Sequence, residues 1–339
     1  MVNKSSLFVL LVMSWIAGPS WASELGDLAA SMSPGEWREL STSGLSAAID
    51  DNGSSQHILT FSQGGRTWNP ATNEAYFIGG DHNGGNEHFI RYVAATNEWQ
   101  SMPDPPWFPQ GSTQNHSYNY NTIDTANQYF YNKTRRYDIE TGNWDSVADL
   151  PQALRANRAF EYFEGLGLVA FNNGEVYLLP DGATSWTDVA SNLSWTGLHA
   201  LGEYSQPLGA MILGGGDNSD SLYKLEADLS ITSLPGTPLS ELSTNSTSGI
   251  LTHDPVSGDF LFVDGDHSFW KYDLQTWTSL PSLDFITNSY VDDCIFIPVS
   301  TYGVVILIEW IAPGNSKMWV YKHGEGGARS NPPGELIAN

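Results

Sequence analysis

The chain has 339 residues, 40% of them hydrophobic and only 15% charged, with 33 glycines, 18 prolines, 13 tryptophans and 15 tyrosines. That length suits one large domain or two ordinary ones, and this composition fits short strands joined by many turns rather than helices. Thirty-eight acidic against 14 basic side chains give a formal charge of −24, which argues against nucleic acid or an anionic membrane surface as a partner.

In chain order, Lys4, the apolar run Leu7 to Ala17 and the small residues around Ala22 read as an export signal over residues 1–22. The run is too short to span a bilayer, and no second stretch reaches spanning length. The expectation is an exported protein, secreted or periplasmic, without a membrane span; an uncleaved anchor is the alternative. Residues 23–34 read as a small-residue lead-in, with no helical periodicity. Trp37 to Leu40 then forms a Trp-X-X-Leu unit with no strand pattern before it.

A four-part cadence follows and repeats. An alternating strand leads to an apolar strand such as Ala75–Gly80 or Ala210–Gly215. A third strand ends in Tyr, at Tyr92, Tyr137, Tyr177, Tyr223, Tyr272 and Tyr321. A fourth opens at Trp99, Trp144, Trp186, Ile231 and Trp277, at intervals of 45, 42, 45 and 46 residues. A four-stranded sheet has two faces to cover, and radial stacking lets each sheet cover its neighbours. The sixth unit, ending at Tyr321, lacks a fourth strand, and the orphan Trp37 segment supplies one. Residues 35–323 therefore read as all-β: a six-bladed β-propeller of four-stranded antiparallel blades, closed by an N-terminal strand completing the last blade. Residues 324–339, rich in Gly, Pro and Ser, read as a flexible tail.

Gly79-Gly80, Gly214-Gly215 and the six residues separating Tyr92 from Trp99 and Tyr137 from Trp144 resemble the kelch repeat of the galactose oxidase and kelch-like superfamily. Blades three and six depart from it: both lack the Gly-Gly pair, and eight residues separate Tyr177 from Trp186. The resemblance implies the propeller fold and leaves function open, because kelch-like propellers include glycan-modifying enzymes, copper oxidases and binding scaffolds. A copper-radical site would need a cysteine cross-linked to tyrosine. The single cysteine, Cys294, precedes Ile295-Phe296-Ile297 and reads as a small hydrophobe.

In a propeller the turns between second and third strands share one face with the connections between blades. Lys133, Arg135, Arg136, Arg155 and Arg158 are 5 of the 14 basic residues, and they fall in such loops near His116, Tyr118 and Tyr120. Convergent cations hold a carboxylate or sulfate, and a neighbouring His or Tyr moves a proton. This gives a ligand site of Lys133, Arg135, Arg136, Arg155, Trp107, His82 and His199, with His116, Tyr118 and Arg158 as catalytic residues if the protein is an enzyme. The competing reading pairs the cations with Asp138, Glu140 and Glu161. Trp107 is either a platform for a sugar ring or core. Two Gly-Asp-His motifs, at Asp81-His82 and Asp266-His267, either serve their turns or, with Asp217 and Asp264, hold a divalent metal; Asp264, Asp266 and His267 are the candidate ligands, and no cofactor is otherwise implied. Asp292, Asp293 and Glu309 could add an acidic wall. The insertion Leu45 to Gln63 is either a lid or a surface loop. The expected partner is a glycan bearing acidic groups, bound with or without lyase or isomerase chemistry; the alternative is an extracellular protein on a scaffold without catalysis.

Overall fold

The computed structural model describes residues 23–50, 57–60, 62–80, 87–108, 117–151, 159–194, 198–217, 219–239, 242–243, 249–287 and 291–324. The export signal and nearly all of the tail expected from the sequence lie outside them, as do His82, His116, Arg155 and Arg158.

Two short helices and the closing strand come first: α1 (Glu24–Ser31), β1 (Glu36–Glu39) and α2 (Leu45–Ile49). Blade one is β2 (Trp68–Asn69), β3 (Glu74–Gly80), β4 (Glu87–Val93) and β5 (Glu98–Ser101). Blade two is β6 (Asn121–Asp124), β7 (Tyr129–Asn132), β8 (Arg135–Asp138) and β9 (Asn143–Ser146). Blade three is β10 (Ala159–Phe163), β11 (Gly167–Asn172), β12 (Glu175–Pro180) and β13 (Thr187–Ala190). Blade four is β14 (Ala200–Ser205), β15 (Ala210–Gly215), β16 (Leu222–Glu226) and β17 (Ile231–Ser233). Blade five is β18 (Ile250–His253), β19 (Phe260–Val263), β20 (Phe269–Tyr272) and β21 (Trp277–Leu280). Blade six is β22 (Cys294–Val299), β23 (Val304–Ala312), β24 (Asn315–Lys322) and, on its outer edge, β1. The six-bladed ring and its borrowed strand are as the sequence cadence predicts.

The Tyr and Trp of the repeat meet across the two outer strands. Tyr92 lies opposite Trp99, Tyr137 opposite Trp144 and Tyr272 opposite Trp277, with ring centroids 5.2, 4.9 and 4.5 Å apart. Trp37 and Tyr321 reproduce this pair at the seam, opposite one another with centroids at 4.6 Å. Trp37 also packs on Phe269 of blade five and Phe296 of blade six, so the same aromatic wedge fills the gap between blades. Blade three departs because its register shifts between Val176 and Tyr177. Tyr177 there faces Asp188, and the Trp186 indole instead donates to the Ala148 carbonyl of blade two at 2.8 Å.

The glycine pairs serve close backbone approach. A Cβ on Gly79 would collide with the Ile58 carbonyl, and one on Gly215 with that of Leu242. In both blades the connection between blades crosses directly over the end of the second strand, and only glycine leaves room.

Two elements were not expected. The lead-in holds α1, capped by the Ser23 hydroxyl, which accepts from Gly26 N–H at 3.0 Å and donates to the Tyr302 hydroxyl at 2.9 Å. Ser23 followed by Glu24 and Asp27 in the first turn is a helix start signal, and Leu25, Ala29 and Met32 bury the inner stripe against the seam of blades six and one. The insertion begins with α2, which packs against β24 and β5. Asp50 behind it is buried and accepts from the Trp310 indole at 3.3 Å and from Gly314 N–H. This part of the insertion is a wall across the seam rather than a lid; residues 51–56 lie outside the description.

Candidate functional site

Chain direction places the connections between blades, and the turns between second and third strands, on one face, here called the loop face. Five of its side chains form a row across blades two to four. The Lys133 ammonium sits 4.4 Å from the Tyr120 ring centroid. Tyr120 meets Tyr118 edge-on at 5.5 Å, and Tyr118 lies 5.8 Å from the His199 ring. His199 Nδ1 is 2.6 Å from Asp217 Oδ1, and Asp217 Oδ2 accepts from Leu198 N–H at 3.2 Å. An aspartate gripping Nδ1 orients the ring and presents Nε2, the arrangement of a positioned base.

Backbone pinning holds this row. Tyr118 and His199 have φ of 40° and 66° without being hairpin turns, whereas Lys133 and His267, at 56° and 67°, occupy turns. Left-handed backbone costs a bulky residue about 1–2 kcal/mol and persists where neighbours over-determine it. For Tyr118 the Gln63 N–H donates to its carbonyl at 2.9 Å, and the adjoining Asn119 carbonyl accepts from Phe160 N–H at 2.7 Å.

Charge in the row is tuned by burial. Burial lowers the Lys133 pKa to about 8 against the opposing pull of Glu87, while burial raises that of Glu87 against the pull of Lys133. Desolvation thus outweighs attraction for both partners. Burial, helped by Tyr120, raises the pKa of the Tyr118 phenol, which keeps its proton at neutral pH and so offers a donor rather than a base.

Arg135 and Arg136, the other described cations of the cluster, do not converge on this row. Arg136 bonds Asp145, Nε at 2.8 Å and Nη2 as well, with its guanidinium 4.3 Å from the Tyr129 ring. Arg135 lies 5.2 Å from the Trp107 ring, and Trp107 packs edge-on against Trp144 at 4.7 Å. Trp107 is therefore partly core and partly stacked beneath a cation. The expected acidic partners differ too: Asp138 accepts from Glu140 and Thr141 N–H, and Glu161 faces Arg66 at 3.7 Å.

Asp264, Asp266 and His267 build a turn. Asp264 Oδ1 accepts from Gly265 N–H at 2.7 Å, Asp266 Oδ1 from Ser268 N–H at 2.9 Å, and His267 N–H donates to the Asp264 carbonyl. Among the described residues no group of three or more His, Cys, Asp or Glu is placed to hold a metal ion. The acidic wall is used locally: Glu309 accepts from Thr287 and from the Trp319 indole, and Asp293 faces His57 at 3.1 Å. His57, not singled out in the sequence, stacks on Trp310 at 4.0 Å.

The largest unforeseen feature is on the ring axis. Arg66 reaches across from blade one, donating to the Ile123 and Tyr162 carbonyls at 3.3 Å each and to Glu164 at 2.8 Å. Glu161 and Glu203 are fully buried, and His253 Nδ1 lies 2.7 Å from Glu203. Burial raises both glutamate pKa values, Glu203 adding to the rise at Glu161 and Arg66 opposing it in both. Burial and Arg66 hold His253 neutral, with a pKa of about 3. A cavity of about 80 Å3 opens over Arg66 and His253 on the face opposite the loop face, ringed by the first turn of every blade. The signal was a lone charge within otherwise apolar first strands, at Glu161 of β10 and Glu203 of β14.

No family model and no curated protein matches the chain. Among solved structures, a protein of unknown function from Bacteroides thetaiotaomicron aligns with TM-score 0.52 and 14% identity, over 84% of this chain and 75% of that one. A chain of the mitotic checkpoint complex aligns with TM-score 0.53 and 10% identity, over 95% and 100%. An oligogalacturonate lyase in complex with manganese aligns with TM-score 0.43 and 8% identity, over 87% and 99%. The first two likenesses support the propeller fold and nothing finer; the third carries no argument. Kelch membership has no support beyond the motifs themselves. Among the described residues no helix is long and apolar enough to cross a membrane.

Proposed function

We propose that this is an exported, kelch-like propeller whose loop face binds a glycan bearing acidic groups. The observation that carries the reading is the row from Lys133 through Tyr120 and Tyr118 to His199. One cation, two tyrosine rings and one oriented imidazole suit a sugar ring stacked on aromatics with its acidic group on the ammonium. Because Lys133 loses its proton near pH 8, affinity for an acidic oligosaccharide is greatest below that pH and falls as pH rises through it. Titration calorimetry from pH 6.5 to 9 on the native chain and on Lys133→Met tests this. The variant is expected to bind more weakly and to lose the pH dependence; equal binding at every pH in both proteins would remove the loop face from consideration.

A second reading, an acid-group lyase or isomerase, is favoured by one feature, the His199–Asp217 pair beside a protonated Tyr118 hydroxyl. It expects an unsaturated product, followed by absorbance, from a uronic-acid polysaccharide. It further expects loss of that signal in His199→Ala and Tyr118→Phe while glycan retention persists.

A further inference from the structure

Blades two and three part along a cleft of about 400 Å3 that contains none of the loop-face row. Val147, Leu168 and Leu179 give it an apolar floor, and Arg136, Tyr131 and Asp181 give it a polar wall. That volume lies within the range of about 300–1,000 Å3 typical of small-molecule sites.

The wall is built rather than incidental. Tyr131 stacks face to face on Tyr162, centroids 6.2 Å apart and planes 6° off parallel. The Tyr162 hydroxyl donates to Asp181 Oδ2 at 2.8 Å, which fixes the carboxyl at the mouth and leaves Oδ1 as an acceptor. Of the five guanidinium N–H donors of Arg136, Asp145 engages two, through Nε and Nη2, and the Tyr131 hydroxyl is a further hydrogen-bond partner, which leaves donors for a ligand. A chain with 14 basic residues and a charge of −24 places one of its few guanidinium groups here, where a solvent-exposed partner such as Asp145 contributes little to holding it closed. Opposed guanidinium and carboxyl groups over an aliphatic floor discriminate in favour of a ligand with an anionic end, hydroxyl donors and one apolar face.

We propose that this cleft binds a polyhydroxylated carboxylate of one ring, a sugar acid. Its carboxylate lies on Arg136, its hydroxyls donate to Asp181, and the apolar face of its ring rests on Leu168 and Leu179. The site shares its ligand chemistry with the loop-face reading but needs none of that reading's residues.

The test uses galacturonate and glucuronate as probes, glucose as the neutral control and polygalacturonate as the polymer, with the full-length chain, by ligand-observed NMR and calorimetry. Two variants address the cleft: Arg136→Gln, and Thr184→Trp in the exposed turn at its lip, both checked for unchanged melting. His199→Ala addresses the loop face. The expected result is binding of one or both uronates, at least tenfold weaker binding of glucose, about tenfold loss of uronate binding in Arg136→Gln and loss of detectable uronate binding in Thr184→Trp; His199→Ala, which addresses the polymer on the loop face, leaves the Arg136-dependent monosaccharide binding in place. Uronate binding that survives both cleft variants and disappears in His199→Ala overturns the cleft and leaves the loop-face reading standing. Polymer retention without monosaccharide binding overturns the cleft alone. No binding of any acidic probe overturns both.

Discussion

The seam of the ring and its axis solve the same problem with opposite chemistry. At the seam, blades five and six are joined by Trp37 packed on Tyr321, Phe269 and Phe296. On the axis, blades one, three, four and five are joined by Arg66, Glu161, Glu164, Glu203 and His253. Aromatic wedging is indifferent to protonation and rewards burial directly. A buried ion cluster is conditional: each charge depends on its partners, and removing one strands the others. The ring therefore has a permanent joint at its rim and a protonation-dependent one at its centre.

The largest expected effect separates the two joints at the rim. Trp37→Ala opens a cavity between blades and is expected to cost about 3 kcal/mol or more, equally at pH 5 and pH 8, measured by denaturant melts. A loss that varies strongly with pH would mean the rim is not purely apolar. Next comes Arg66→Met, which leaves Glu164 and Glu161 without their cation. It is expected to cost about 3 kcal/mol at neutral pH and less in acid, where Glu161, its pKa raised by burial, is protonated.

The smallest effect sharpens the comparison most. Glu203 has a raised folded-state pKa, so its contribution is fully present below its unfolded value and is lost as pH rises through the folded one. Glu203→Gln removes that loss and is expected to raise stability at neutral pH by about 1 kcal/mol with little change near pH 4. His253 runs the other way: with a folded pKa of about 3, its contribution is present above its unfolded value of about 6.5 and is lost as pH falls toward 3. His253→Gln is therefore expected to help on the acid side only. Melting both variants from pH 4 to 8 distinguishes the two signs; parallel curves would mean the axis does not titrate.

The same contrast explains what the sequence made legible. The rim is repetitive, because every blade needs an aromatic wedge at one position, and repetition is visible without a structure. That is why Trp37 could be assigned to a blade whose other strands lie at the far end of the chain. The axis draws on the blades unevenly, with Arg66 from blade one, Glu161 and Glu164 from blade three, Glu203 from blade four and His253 from blade five, so beyond the lone charges in β10 and β14 it leaves no repeat along the chain. The loop face lies between. Tyr118, Lys133 and His199 were legible as polar residues in the correct loops, and their meeting with Asp217 depends on loop path. Arg136 was legible as a cation but not in its direction: it is the second residue of β8, after the turn that carries Lys133, and it opens into the cleft between blades two and three.

Ring closure is the claim on which the loop face, the axis and the cleft all rest, and native-state hydrogen exchange across Glu36–Glu39 and Trp319–Lys322 tests it most directly. Strands paired as Trp37 with Tyr321 are expected to exchange together, with protection close to that of the central strands of blade six. Rapid exchange of residues 36–39 beside a protected β23 would contradict a ring closed by its N-terminal strand.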